Sequence, residues 1–463
     1  MNAANSNEAV VSPDEIRSIF SERMSQMYKD EVPQYSTLLD IVSGVNREVL
    51  DQDPALEICL KNNDDLARLS QEYHGAIRLG TATELSTMRR VFAVLGMDPV
   101  NYYDLSVAGI PVHATAFRPT TRASLSKNPF RVFTSLLRLE LIDDPDLREV
   151  ASQILSKRNI YTARALELLE IVEQRGGLDD RQAKEFVEEI LETFRWHNEA
   201  TVHAATYERL HSAHRLVADV VSFRGPHINH LTPRTLDIDK AQHEMPKRGV
   251  TPKNIIEGPP RRNVPILLRQ TSFKALEETV SFQGASEEGT HTARFGEIEQ
   301  RGIALTPKGM ALYDRLLNQA RASIGEEVDY DKVLSQVFSE FPDDLDEIRT
   351  KKLAYFKYRV AREDATGLSM NTDVEDLIKI GVIEVTPVLY EDFLPVSAAG
   401  IFQSNLGGTE QKAYASNAAK AEFERALGAS VLESCELYTD IQEKSLNEVQ
   451  LWILNCAAES VNA

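Results

Sequence analysis

The sequence predicts an α+β fold in which one βαβββ unit occurs twice, with a large helical insertion and helices at both ends. Three observations lead there. A histidine and an arginine four residues apart recur, as His74 and Arg78 in "EYHGAIRLG" and as His230 and Arg234 in "NHLTPRTLD". Each pair precedes a short helical segment that stops at a glycine, Gly96 or Gly249. Between and around these segments the hydrophobic period switches repeatedly between that of a helix and that of a strand.

Residues 1–70 read as N-terminal helices. Ser12 and Pro13 are a start signal, Ile16, Ile19, Phe20 and Met24 share one face, and "YSTLLDIVSGVNREVL" continues the period. Their expected role is packing. The first module spans residues 71–127, with strands in "YHGAIRLG", "NYYDLSVAG" and "PVHATAFRP". Between the first two lies a helix whose stripe is Leu85, Met88, Val91, Phe92 and Leu95. Residues 128–216 read as a helical insertion, clearest in "RQAKEFVEEILETF", where Phe186, Val187, Ile190, Leu191 and Phe194 line one face. Strand-like sequence returns at "LVADVVSF", and the second module runs over residues 217–310 through "NVPILLRQTSF" and "HTARFGEIEQRGIAL". Nine residues past each histidine stand Thr83 and Asp239, the expected helix N-caps. Residues 311–463 form a C-terminal region. A duplicated unit whose first strands each offer a histidine brings both into one cavity.

Acidic residues outnumber basic ones, 71 to 51, for a formal charge of −20, so most of the exterior repels a phosphate backbone or an anionic membrane surface. Nucleic acid and membrane are therefore not expected partners. An anionic small molecule needs a local arginine working against that field. Cys59, Cys435 and Cys456 are odd in number and widely separated, which fits free thiols in a reducing compartment. "MNAANSNEAVVSPDE" has neither the basic stretch nor the apolar core of a signal peptide, and no apolar run reaches the roughly 18 residues of a membrane helix. The expected location is the cytoplasm.

Two imidazoles and one carboxylate on a common face make the facial triad of non-haem iron, with positions left open for substrate and dioxygen. In "ARFGEIEQRG", strand alternation puts Phe295, Glu297 and Glu299 on one face and Gly296 and Ile298 on the other, so both glutamates qualify and alternation does not choose between them. His227, three residues before His230, faces the other way and suits a supporting role. Arg234 is expected to brace the duplicate strand or a glutamate. His197, His203, His211 and His214 lie in helical sequence without a matching carboxylate or thiol and read as solvated. Arg261 and Arg262, in "EGPPRRNVP", read as part of a connecting loop.

The repeated H-x-x-x-R unit, the helix ending in L-G-M and the late "EIEQRG" strand resemble the vicinal oxygen chelate superfamily. In its 4-hydroxyphenylpyruvate dioxygenase branch the first glutamate of a similar string is an Fe(II) ligand, which points to Glu297. More closely, "EYHGAIR", "GPHINHLTPRTLDID", "ILLRQTSFKAL", "HTARFGEIEQRGIALTPKG" and "YEDFLPVSAAGIF" resemble the 2-oxoadipate dioxygenase/decarboxylase family over about residues 70–405. The resemblance implies Fe(II) held by His74, His230 and Glu297, a substrate carboxylate held by Arg78, and a late loop near 390–401 whose Val396 and Ser397 line the substrate pocket. It further implies that 2-oxoadipate and dioxygen are converted to (R)-2-hydroxyglutarate and carbon dioxide, with lysine breakdown as the pathway. Arg269 is a second candidate for the far carboxylate. The same scaffold also supports non-oxidative metal-dependent lyases and isomerases, and binders of 2-oxo acids that do not turn over.

Overall fold

A computed structural model describes residues 10–63, 65–284, 288–323, 330–362, 373–394 and 416–462. The chain divides into two units, the first made of Met1–Glu257, Gln270–Gln300 and Ala399–Leu432, the second of Gly258–Arg269, Arg301–Ala398 and Glu433–Ala463.

In the first unit, helices α1 (Pro13–Glu31), α2 (Pro33–Gln52) and α3 (Pro54–Asn62) each open on a proline, whose missing N–H has no intrahelical partner there in any case. Ser12 and Glu15 close a capping box at α1, and Ile16, Phe20 and Met24 are buried as the spacing predicts. Strand β1 (Glu72–Leu79) leads to α4 (Ala82–Val94), whose apolar stripe is buried throughout and whose end turns at Gly96 with a φ of 66°, a conformation that favours glycine. Next come β2 (Asp98–Asp104), β3 (Val112–Arg118), α5 (Arg122–Lys127) and β4 (Arg131–Leu137). The insertion follows as α6 (Pro145–Ser156), α7 (Ala163–Arg175), α8 (Asp180–Phe194), α9 (Ala204–Ala213) and α10 (Arg215–Ser222). The second module contributes β5 (His230–Pro233), α11 (Ile238–Glu244), β6 (Leu268–Ser272), β7 (Glu277–Ser281), β8 (Glu288–Thr292) and β9 (Glu297–Arg301).

Five strands form one sheet in the order β2-β3-β4-β1-β5, and the remaining strands pair as β6 with β9 and β7 with β8. β1 therefore lies between β4, which runs parallel to it, and β5, which runs antiparallel. That position brings the two copies of the H-x-x-x-R segment side by side.

Three expectations are corrected. The insertion does not begin at residue 128, because "RVFTSLL" is strand β4, almost wholly buried between β3 and β1; the first module thus runs on to Leu137. "LVADVVSF" is largely helix α10: its β-branched residues read as a strand, but a helix buries all of Val217–Ser222 and has its N-terminus capped by His214. The helix N-caps are Thr81 and Asp237, two residues earlier than expected on both copies, so each still stands seven residues past its histidine.

The second unit packs helices Pro307–Ala322, Tyr330–Phe338 and Leu345–Thr350 around Tyr313, Leu316, Leu317 and Phe338. It also holds an antiparallel pair, Phe356–Val360 with Ile383–Pro387. Arg262 is fixed there by the carbonyls of Phe338, Phe341 and Pro342, which suits the connecting-loop reading of "EGPPRRNVP", while Arg269, the second candidate for the far carboxylate, donates Nε to Pro259 O.

Candidate metal centre

In the β1–β5 ladder His74 stands opposite Thr232 and Ala76 opposite His230. Cross-strand partners share a face and residues two apart share a face, so this register turns His74, His230 and Arg78 to the same side of the sheet. The strands meet this closely because residue 75 is glycine: a Cβ there would lie 2.7 Å from Ile228 Cδ1 and 3.0 Å from Leu231 Cδ2. The two imidazoles sit edge to face, with ring centroids 5.4 Å apart.

The carboxylate comes from β9. Glu297 Oε1 lies 3.0 Å from His74 Nε2 and 3.9 Å from His230 Nε2, and one donor atom from each of the three residues falls within 4.8 Å of the others. Among the described residues this is the one cluster of three such donors. Glu299 also points inward, as alternation predicts, but to the other side of His74, with Oε2 3.0 Å from Nδ1. The Thr232 hydroxyl donates to Glu297 Oε1 at 3.2 Å and lies 3.1 Å from His74 Nε2. Phe295 stacks on His230 at 4.8 Å.

Electrostatics suit this donor set to a cation. Burial pushes the His230 imidazole down to about 3, which leaves it neutral and able to offer a lone pair. Burial would lower His74 too, but Glu299 and Glu297 on either side outweigh it and raise its pKa. Burial opposes ionisation of Glu297, yet His230 and His74 hold it below the ordinary carboxylate value. Two imidazoles, one carboxylate, and a second carboxylate behind the first imidazole are what a divalent transition metal requires.

The N-terminal helices do more than pack. The Tyr28 hydroxyl of α1 lies 2.9 Å from Asn229 O and 2.8 Å from Phe295 O, tying together the residues just before His230 and Glu297. Asn46 of α2 donates Nδ2 to Arg234 O and accepts from Leu236 N.

Arg78 gives Nη1 to Asp219 at 2.7 Å and keeps 26% of its side chain exposed. Arg234 braces an aspartate, Asp65, rather than a glutamate. His227 is buried outside the donor cluster, with Nε2 3.4 Å from Asp219 Oδ1. His214 caps α10, accepting from Leu216 N. Val396 and Ser397 lie outside the described residues. Asp219 and Tyr28 were missed by sequence reasoning. Asp219 did leave a signal, as the lone carboxylate in the apolar run "LVADVVSF"; Tyr28 left none.

A sequence profile of the 2-oxoadipate dioxygenase/decarboxylase family matches residues 20–405. The chain belongs to that family. Its relatives of that name include one from Escherichia coli, 57% identical over 438 residues that cover 94% of this chain and 98% of the relative. Another, from Pseudomonas putida, is 56% identical over 448 residues, 94% and 96% of the two chains. The crystal structure of the Pseudomonas putida hydroxyglutarate synthase in complex with 2-oxoadipate superposes with a TM-score of 0.89 at 54% identity, covering 97% of this chain and all of that one. Membership of the family makes the chain an enzyme of the dioxygenase/decarboxylase class. Among the described residues no helix is long and apolar enough to cross a membrane.

Proposed function

We propose that this chain is an Fe(II)-dependent enzyme converting 2-oxoadipate and dioxygen to (R)-2-hydroxyglutarate and carbon dioxide, acting in the cytoplasm as a step of lysine breakdown. The observation that carries the reading is the convergence of His74, His230 and Glu297 within 4.8 Å in a chain 57% identical to an enzyme named for that substrate. His74, His230 and Glu297 would hold the metal, and Glu299 and Thr232 would keep the His74 ring and the Glu297 carboxylate aimed at it. The metal, when bound, supplies the electrophilic anchorage of the 2-oxo acid and the activation of dioxygen.

The protein's own part is to bind and orient. Arg78 shares the face of His74 four strand residues away, about 13 Å along β1. A diacid anchored by its 2-oxo end near the histidines can turn its far carboxylate towards that guanidinium, which offers paired N–H donors. Its cation offsets the −20 background at the one place where an anion must bind. Val396 and Ser397 complete the proposed pocket lining.

The test is to load metal-free protein with Fe(II) under anaerobic conditions, add 2-oxoadipate, admit air, and follow dissolved oxygen and 2-hydroxyglutarate together. Uptake matched one to one by product is expected. No uptake by protein carrying bound iron would overturn the reading in favour of a non-oxidative lyase or a binding protein, distinguished by repeating the assay with Zn(II) and Ni(II).

A further inference from the structure

Arg78 is the end of a longer buried chain of polar groups. Its partner, Asp219, belongs to α10, the last helix of the insertion, and its carboxylate is 6% exposed. The Asp219 oxygen not given to Arg78, Oδ1, lies 2.9 Å from Nε2 of His291 on β8. Nδ1 of His291 in turn lies 2.8 Å from the Tyr207 hydroxyl of α9. A carboxylate only accepts, so the His291 ring donates Nε2–H to Asp219, and its Nδ1 is hydrogen-bonded to the Tyr207 hydroxyl. The three side chains thus form one connected network, while Arg78 donates to Asp219 from the opposite side. Trp196 stacks against His291 with ring planes 7° apart and meets His227 edge to face at 4.6 Å, and Asp219, His291 and Tyr207 are all buried. Burial works against the Asp219 charge, but His227, Arg78 and His291 hold its carboxyl far below the ordinary value, so it stays an anion.

We propose that Asp219, held by His291 and Tyr207, is a positioning residue that aims Arg78 at the far carboxylate of the substrate, so that the helical insertion is a determinant of dicarboxylate specificity. The inference rests on the reading of Arg78 given under Proposed function. Its physical basis is the flexibility of an arginine: left alone, a guanidinium on a long stem samples many rotamers and binds an anion at an entropic cost. Asp219 engages one terminal nitrogen and anchors the head group. The side chain keeps its partial exposure, and the cation is not sealed away.

The experiment compares 2-oxoadipate with 2-oxohexanoate, which has the same chain length but no far carboxylate, the latter as substrate or as competitor. In Asp219→Asn the side chain keeps its shape but has one oxygen for two N–H donors, so its amide NH2 must face either Arg78 or His291. The preference for 2-oxoadipate is expected to fall about 10- to 100-fold, through KM more than kcat, with metal content unchanged. In an Arg78→Ala background the same substitution should change the preference no further. Equal losses for both acids, or effects of Asp219→Asn and Arg78→Ala that multiply, would overturn the positioning role. An Arg78→Ala enzyme that keeps its preference would remove the reading of Arg78 itself, and the positioning role with it. If Asp219→Asn does not accumulate as folded protein, Tyr207→Phe decides the same way: it deletes only the far hydroxyl, and a loss of preference of a few-fold that vanishes in Arg78→Ala is expected.

Discussion

In β1, Arg78 follows His74 by four residues, reaches Asp219 at 2.7 Å and keeps 26% of its side chain exposed; after His230, Arg234 reaches Asp65 at the same distance but is 5% exposed. Both guanidiniums have an aspartate, so pairing alone does not separate them. Their surroundings do. Asp65 also pairs with Arg68, the Arg234 carbonyl is taken by Asn46, and its backbone bridges to Glu299. The second arginine is thereby locked into the frame. The lesson is that a duplicated segment can keep its histidine in both copies, because the proposed site draws one ligand from each, and yet use its arginine for the proposed recognition in one copy and for structure in the other.

The largest effect expected from breaking this arrangement is at the shared members. His74→Ala, His230→Ala and Glu297→Ala should each lose bound iron, measured by metal analysis after dialysis, and turnover with it. Next comes the pair that differs. Arg78→Ala should retain the metal but lose roughly 100-fold in kcat/KM for 2-oxoadipate. Arg234→Ala leaves Asp65 with Arg68 as its ion-pair partner and should cost about 2 kcal/mol in urea unfolding, while the folded fraction keeps a near-normal KM. The reverse pattern would dissolve the distinction between the two copies. A smaller effect should follow from Glu299→Gln, which keeps an acceptor near His74 Nδ1 but removes its charge: metal affinity should fall roughly 10- to 100-fold without being lost, in contrast to Glu297.

The smallest expected effect concerns a carboxyl near the second copy. Burial raises Glu257 to about 7, with Lys253 opposing the shift and Glu297 adding to it. The folded value lies above the ordinary 4.5, so the native state holds a proton that the unfolded chain releases. Stability should therefore fall as pH rises from about 4.5 to 7, and the full penalty should be present above that window. Glu257→Gln should be more stable than the parent at pH 8, by on the order of 2 kcal/mol, and about equally stable at pH 4.5. Scanning calorimetry at the two values checks it.

Much of this arrangement could be read from the sequence, because periodicity and spacing are local properties. The α4 stripe, the α8 stripe and the inward pair Glu297 and Glu299 follow directly from 3.6- and 2-residue periods. The choice between the glutamates did not follow, since alternation puts both on one face; their different sides of His74 depend on where β1 lies beside β9. Strand β4 was hidden by the helices that surround it in sequence. α10 was disguised by its β-branched run, and Asp219 with it. The aspartate that holds Arg78 lies 141 positions away, and no local pattern announces such a meeting.

The single Tyr28 hydroxyl between Asn229 O and Phe295 O links the first helix to the backbone beside two of the three proposed ligands. Docking of α1 and occupancy of the metal site are then coupled equilibria. An ion that draws His230 and Glu297 together also favours the seated helix, by the linkage that makes any ligand of the native state a stabiliser. Chelation would in turn loosen α1 before it loosens the sheet, and protease sensitivity within Pro13–Glu31 would report on metal content at a site far along the chain.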